Sequence, residues 1–261
     1  MMNTYWKIPG TRWIGYSLLA IWLSTPQSGI AQLRNQSTQT TPPPMERRAS
    51  ASRAINGRLQ LGMMNTKRLL ARAKQLTLAA IHENAIRFGL ADLDLSNATA
   101  YINAVDTLIL DPALGGLAEV DIEYPGQIRV GPEYAVDLDI DDEVILLLAH
   151  ELTHVAARDE HFLPIIDSVA EVVRRMAGVQ PTRDQVEDLT CDYIGEQALK
   201  QFVRESPGSE SIGNRLSETL GYEDERDEGD EEHLDHEAML KSWLALDPEL
   251  GSLIPHLSAS R

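Results

Sequence analysis

A chain of 261 residues, 43% of them hydrophobic, is long enough to bury one sizeable core. Its net charge of −17 repels nucleic acid and anionic lipid, and its single cysteine, Cys191, excludes a disulfide scaffold or a cysteine-rich metal site. No run approaches the roughly eighteen apolar residues of a membrane span, which excludes a polytopic membrane protein.

The first segment has the layout of an export signal. Lys7 and Arg12 precede the apolar run "WIGYSLLAIWL", residues 13–23, and small residues stand at Gly29 and Ala31. A basic start, a short apolar centre and a small-x-small end predict a signal peptide over 1–31, and so an exported protein, periplasmic or extracellular. The apolar centre is short for a membrane anchor, so no stable membrane insertion is expected after cleavage. Removing 1–31 takes away Lys7 and Arg12 and no acid, leaving the chain still more acidic. Residues 32–54, rich in Gln, Thr, Ser and Pro, are expected to be a disordered linker.

From about Ile55 to Phe88 the apolar residues Leu59, Met63, Leu69, Leu70, Ala73, Leu76, Ala80 and Ile86 recur at threes and fours, which predicts a helix, and Gly89 is placed to stop it. Three short runs follow: "VDTLILD" at 105–111, "AEVDIEY" at 118–124 and "GQIRVGP" at 126–132. They predict strands, with Pro125-Gly126 turning a hairpin. Asp139 to Asp142 place acids where a helix dipole favours them, ahead of the helical run "EVILLLAHELTHVAAR". A second helix is expected over about 163–177, ended by Gly178 and Pro181. Thr182 and Gln185 form a capping box for a third, over 183–204. The expected domain spans 55–204. After it, 205–261 holds an acidic, solvated loop that includes "EDERDEGDEE" and a tail with a short helix over about 233–247.

The chemistry concentrates in "AHELTH". His150 and His154 are four apart and share one helix face, where two imidazoles can hold one metal. Glu151 lies about 100° round the helix and can reach water beside that metal. The pattern predicts a zinc site in which Glu151 acts as the base. The preceding residues, Val144 to Ala149, are apolar on every side, so the helix is buried, and buried polar groups need partners. A third ligand is expected from "EDLTCD", where Asp188 and Asp192 share a face: one can bind metal while the other holds a histidine N–H. Glu187, next to Asp188, has the longer arm and stays open as a ligand. Cys191 is read as a small buried residue and His161 as a loop residue.

"HELTHVAARD", 150–159, followed by "EDLTCDYIGEQAL", 187–199, resembles the gluzincin-type zinc endopeptidases. These include the CaaX-prenyl endopeptidase, HtpX-like proteases and the peptidase domain of β-lactam-sensing receptors. The resemblance covers roughly residues 100–204. It implies an α+β, zincin-like fold, with a small, mostly antiparallel sheet beside the HExxH helix and a second ligand-bearing helix. It also implies a Zn2+ cofactor and a protein or peptide substrate. Matched position by position, Asp188 falls on the third ligand and Asp192 on the group that orients a ligand histidine. The family has a glutamate where this chain has Asp188, so Glu187 stays the alternative. The resemblance further implies substrate binding along a strand edge, placed on Ile128 and Val130 in "QIRVGPE", 127–133. A downstream histidine that stabilises the oxyanion falls on His233, with His236 nearby. The expected activity is therefore an exported zinc endopeptidase. The alternative is a peptidase-like binding module without turnover.

Overall fold

The computed structural model describes residues 44–116, 118–120, 124, 126–138, 140–206, 213–216 and 234–253. Along them run α1 (Pro44–Arg87), α2 (Ser96–Ala104), β1 (Thr107–Leu110), β2 (Ala118–Val120), β3 (Gln127–Val130), α3 (Pro132–Asp137) and α4 (Asp141–Ala157). A 3-10 turn (Glu160–Phe162) leads into α5 (Leu163–Val172), which continues as a π turn (Val173–Ala177). Then come α6 (Arg183–Glu205), α7 (His236–Leu246) and α8 (Leu250–Leu253). The architecture is α+β: mostly helical, with one small mixed sheet.

The sheet departs from the mostly antiparallel expectation. Its order is β1-β3-β2, with β1 parallel to β3 and β2 antiparallel to it. The two strands of the expected hairpin are present as the antiparallel β2–β3 pair, in register Ala118↔Val130 and Val120↔Ile128, and Pro125 lies outside the described residues. The sheet is mixed because the chain leaves β1 at one edge, forms β2 at the other and then returns between them.

α1 begins at Pro44, inside the stretch expected to be linker, and so starts before Ile55. Its buried face carries Leu69, Leu70, Ala73, Leu76 and Ala80, as the periodicity requires. Ile86 does not belong to that face. It is exposed, and Ile81 and Ala85 take the place instead. The stop at Gly89 is real: φ is +76°, open to glycine without a Cβ penalty, and the Leu90 N–H returns to Ala85 O at 2.7 Å. Gly178, at φ +70°, ends the π turn in the same way.

The core forms where α1, α4 and α6 pack together, with the sheet and α2 closing one side. Fully buried residues include Leu148, Leu152 and Val155 on α4, Ile194 and Ala198 on α6, and Ile128 and Val130 on β3. Two glycines permit close approach. On Gly62 of α1 a Cβ would lie 1.9 Å from the backbone oxygen of Ala135 in α3. Rigid backbone cannot yield as a flexible side chain does. Gly62→Ala is therefore expected to lower the unfolding free energy by about 3 kcal/mol, the upper end of overpacking costs, read by urea denaturation. On Gly195 of α6 a Cβ would lie 3.2 Å from Leu146 Cδ1 and 3.5 Å from His150 N, so this glycine sets how closely α6 approaches α4.

Among the described residues no helix is long and apolar enough to cross a membrane. The segment read as a signal peptide, and the stretch 223–232, lie outside them.

Candidate metal centre

Two helices build the site. α4 starts with Asp141, Asp142 and Glu143 in its first turn, acids that complement the positive helix end as the sequence indicates. Asp142 is also buried in an ion pair with Arg215, its Oδ2 accepting from Nε at 2.7 Å, which ties residues 213–216 to the start of α4. α6 opens with the expected capping box: Thr182 Oγ1 accepts from Gln185 N at 3.2 Å, and Gln185 Oε1 accepts from Thr182 N at 3.0 Å.

Where the helices face each other, His150, His154 and Asp188 come together. Each offers one ligand atom, and the three atoms lie within 4.8 Å of one another. The two Nε2 atoms are 3.1 Å apart, and His150 Nε2 is 3.6 Å from Asp188 Oδ1. Ligands about 2.0–2.1 Å from a tetrahedral metal lie about 3.3 Å from each other, so these spacings fit a single ion.

The other ring nitrogens are held from behind. His150 Nδ1 meets Asp192 Oδ1 at 2.8 Å, and His154 Nδ1 meets Glu187 Oε1 at 3.3 Å. A carboxylate accepts, so each Nδ1 carries a proton, which leaves Nε2 of the neutral ring free to bind metal. Two lone pairs facing each other at 3.1 Å repel; a metal ion between them removes the repulsion, and so does a proton on one Nε2 donated to the other. The electrostatics favour positive charge here. Burial works against a charged His150, but the Asp192 hydrogen bond and the charges of Asp192, Asp188 and Glu151 outweigh it and push the imidazole up to about 10. A buried site that draws positive charge this strongly could hold a metal ion.

Glu151 is buried, 5% exposed, between the two histidines in sequence. Burial raises its pKa, the two histidines oppose the rise, and the charges of Asp188 and Glu119 add to it. A carboxylate held in this way is a stronger base than a solvated one.

The structure places the expected residues as follows. His150 and His154 converge, and Asp188 is the acid that joins them. Asp192 orients His150. Glu187 lies on the outer side of His154 and is not in the three-residue ligand group. Ile128 and Val130 do not form a substrate edge. β3 is the central strand, paired on both sides, and both side chains are fully buried in the core. An alternating sequence pattern marks a half-buried strand but not its place in the sheet. The edge that packs on α4 is β2, and Arg158, one turn beyond His154, donates to Val120 O at 3.4 Å. His233 lies outside the described residues, and of His236 only the backbone is placed, at the start of α7. Cys191 is buried, and its thiol is raised well above the ordinary range by burial, then by the surrounding carboxylates, which leaves it inert. His161 is exposed, with Nδ1 3.0 Å from Asp159 Oδ1.

Two contacts escaped the sequence reading. Glu119, on the β2 edge, contributes charge to Glu151, and Arg129 of β3 pairs with it. Nothing in sequence spacing links position 119 to 151. Asp159, by contrast, immediately follows the motif helix. It is buried and accepts from Ala98 N at 3.2 Å, satisfying an early N–H of α2 that no local side chain caps.

In comparison with known proteins, the chain matches no family model, no curated protein and no solved structure.

Proposed function

We propose that the chain is an exported, zinc-dependent endopeptidase of zincin-like fold, with His150, His154 and Asp188 as ligands and Glu151 as the base. One observation carries the reading. The two histidines present Nε2 atoms 3.1 Å apart, each backed by a carboxylate on Nδ1, with Asp188 beside them and a buried glutamate one residue along. Imidazole nitrogen with one carboxylate oxygen suits zinc.

Zinc bound there would supply Lewis acidity, lowering the pKa of water toward 7 and polarising a carbonyl. The chain's residues do the rest. Glu151 accepts a proton from the attacking water and returns it to the departing amine. Asp192 and Glu187 fix the ring orientation and tautomer of the histidines. β2, the edge strand against α4, offers backbone groups on which an extended peptide can align.

The test joins metal analysis with cleavage of an unfolded protein at about pH 6 to 8. About one zinc per chain together with cleavage is expected. Zinc without turnover would favour the binding-module alternative, and absence of zinc would remove the endopeptidase.

A further inference from the structure

α6 carries a polar stripe through the core. Asp188, Asp192, Glu196 and Lys200 follow at intervals of four, on a helix otherwise buried among apolar residues. The first two serve the metal centre. Glu196 and Lys200 have no part in it, yet they are 1% and 3% exposed. Such groups stay buried only with partners.

Their partners come from the end of α7. The Lys200 ammonium pairs with Asp247 Oδ2, lies 3.0 Å from Glu249 Oε2 and 3.7 Å from Glu196 Oε1. One cation thus faces three carboxylates. Glu249 is half exposed and is also held by Arg204 at 2.9 Å. Asp247 is buried but well served as an anion. It has Lys200, Gln197 Nε2 at 2.9 Å, and the Glu249 N–H at 3.0 Å. Glu196 receives Gln197 Nε2, at 2.7 Å on Oε2, and among the described residues its buried Oε1 has no hydrogen-bond partner. Across the cluster from α1, Glu83 and Arg87 act on Tyr193, one turn before Gln197.

We propose that Glu196, Lys200 and Asp247 form a proton-controlled latch, which holds residues 236–253 against α6 while Glu196 carries its proton and lets them loosen when it does not. The neutral acid relieves the crowding of two buried carboxylates around one ammonium. Once ionised, Glu196 repels Asp247, and that repulsion falls as Asp247 moves away. Asp247 sits at the end of α7, whose Met239, Trp243 and Leu246 are buried in the core, so its movement bears on the whole segment. Glu196 is also one turn from Asp192, so the latch adjoins the helix face that serves His150. The latch rests on this cluster alone and stands whether or not the metal centre hydrolyses peptides.

Burial raises the Glu196 carboxyl, Lys200 opposing and Asp247 adding, to about 8. A folded-state value above the unfolded one favours the folded, latched form at low pH. The contribution is complete below the unfolded value and is lost as pH rises through about 8.

The test is amide hydrogen exchange of residues 236–253 in the full chain from about pH 6 to 10, with zinc present and corrected for intrinsic exchange. Protection is expected to fall from about pH 6 to about pH 8, by up to about tenfold per pH unit, the slope of one proton, and to level off above about pH 8. Glu196→Gln keeps the neutral form and should abolish the fall. Asp247→Asn removes the competing anion and should make the profile level off at lower pH, with a smaller total fall. A flat wild-type profile, or an unchanged transition in both variants, would overturn the latch.

Discussion

Glu151→Gln is expected to bind metal as the unaltered chain does, with about one zinc per chain, and to lose peptide cleavage by about 10²–10⁴-fold, the range a positioned base contributes. Glutamine has the shape of glutamate and cannot accept the proton. Folding should survive the change. Glu151 is buried and its carboxyl is already pushed toward the neutral form, so a neutral amide fits the same environment. The three proposed ligand side chains remain, and so do Asp192 and Glu187 behind the histidines. Metal content and thermal stability therefore serve as internal controls for the kinetic loss. Cleavage at the wild-type rate by a Glu151→Gln protein that holds its zinc would sink the mechanism.

Glu151 and the two histidines were legible because their relation is local. Four residues along a helix return to the same face, whatever the helix packs against. The capping box at Thr182 and the stops at Gly89 and Gly178 were legible for the same reason. Relations across space were harder to read. β3 alternates like an edge strand, and only the return of the chain between β1 and β2 makes it central. α2 and α3 were missed because they are short, and tertiary contacts stabilise them. Asp159 reaches back to the third residue of α2, and the close approach at Gly62 seats α3 on α1. Ile86 shows the opposite error. It is apolar and fits the spacing loosely, but α1 has turned it to solvent near its end.

The stripe on α6 joins the two kinds of information. Intervals of four put Asp188, Asp192, Glu196 and Lys200 on one face, and that much the sequence contains. It does not contain the division of labour. Asp192 meets a histidine of α4, whereas Glu196 meets the end of α7, because α6 lies between them and its polar face changes neighbours along its length. The functional residues are therefore best judged by what the partner helix presents at each turn. Where α4 presents imidazoles, the acids of α6 are placed to serve a cation. Where α7 ends on Asp247, a lysine is needed.

The sharpest separation among the acids comes from metal affinity in Asp188→Ala, Glu187→Ala and Asp192→Asn. Asp188 Oδ1 lies within the ligand group, so its loss removes a bond to the ion itself. Asp192 and Glu187 act through the histidines, and removing such an outer partner weakens metal binding by about 10–100-fold. Asp188→Ala should exceed that range. Glu187→Ala should fall at its lower end, since the Glu187 contact is the longer, 3.3 Å against 2.8 Å, and its side chain is 34% exposed against 10% for Asp192. Titration against a competing chelator measures this directly. Thermal stability gives a second reading, because a ligand present at 100 times its Kd raises the unfolding free energy by about 2.7 kcal/mol. The zinc-dependent rise in Tm should be present in the unaltered chain, reduced in Asp192→Asn and absent in Asp188→Ala at the same zinc concentration. If instead Glu187→Ala abolishes the rise and Asp188→Ala keeps it, the longer side chain is the ligand. α6 would then have to rotate by part of a turn to bring Glu187 inward, which would carry Asp192 away from His150.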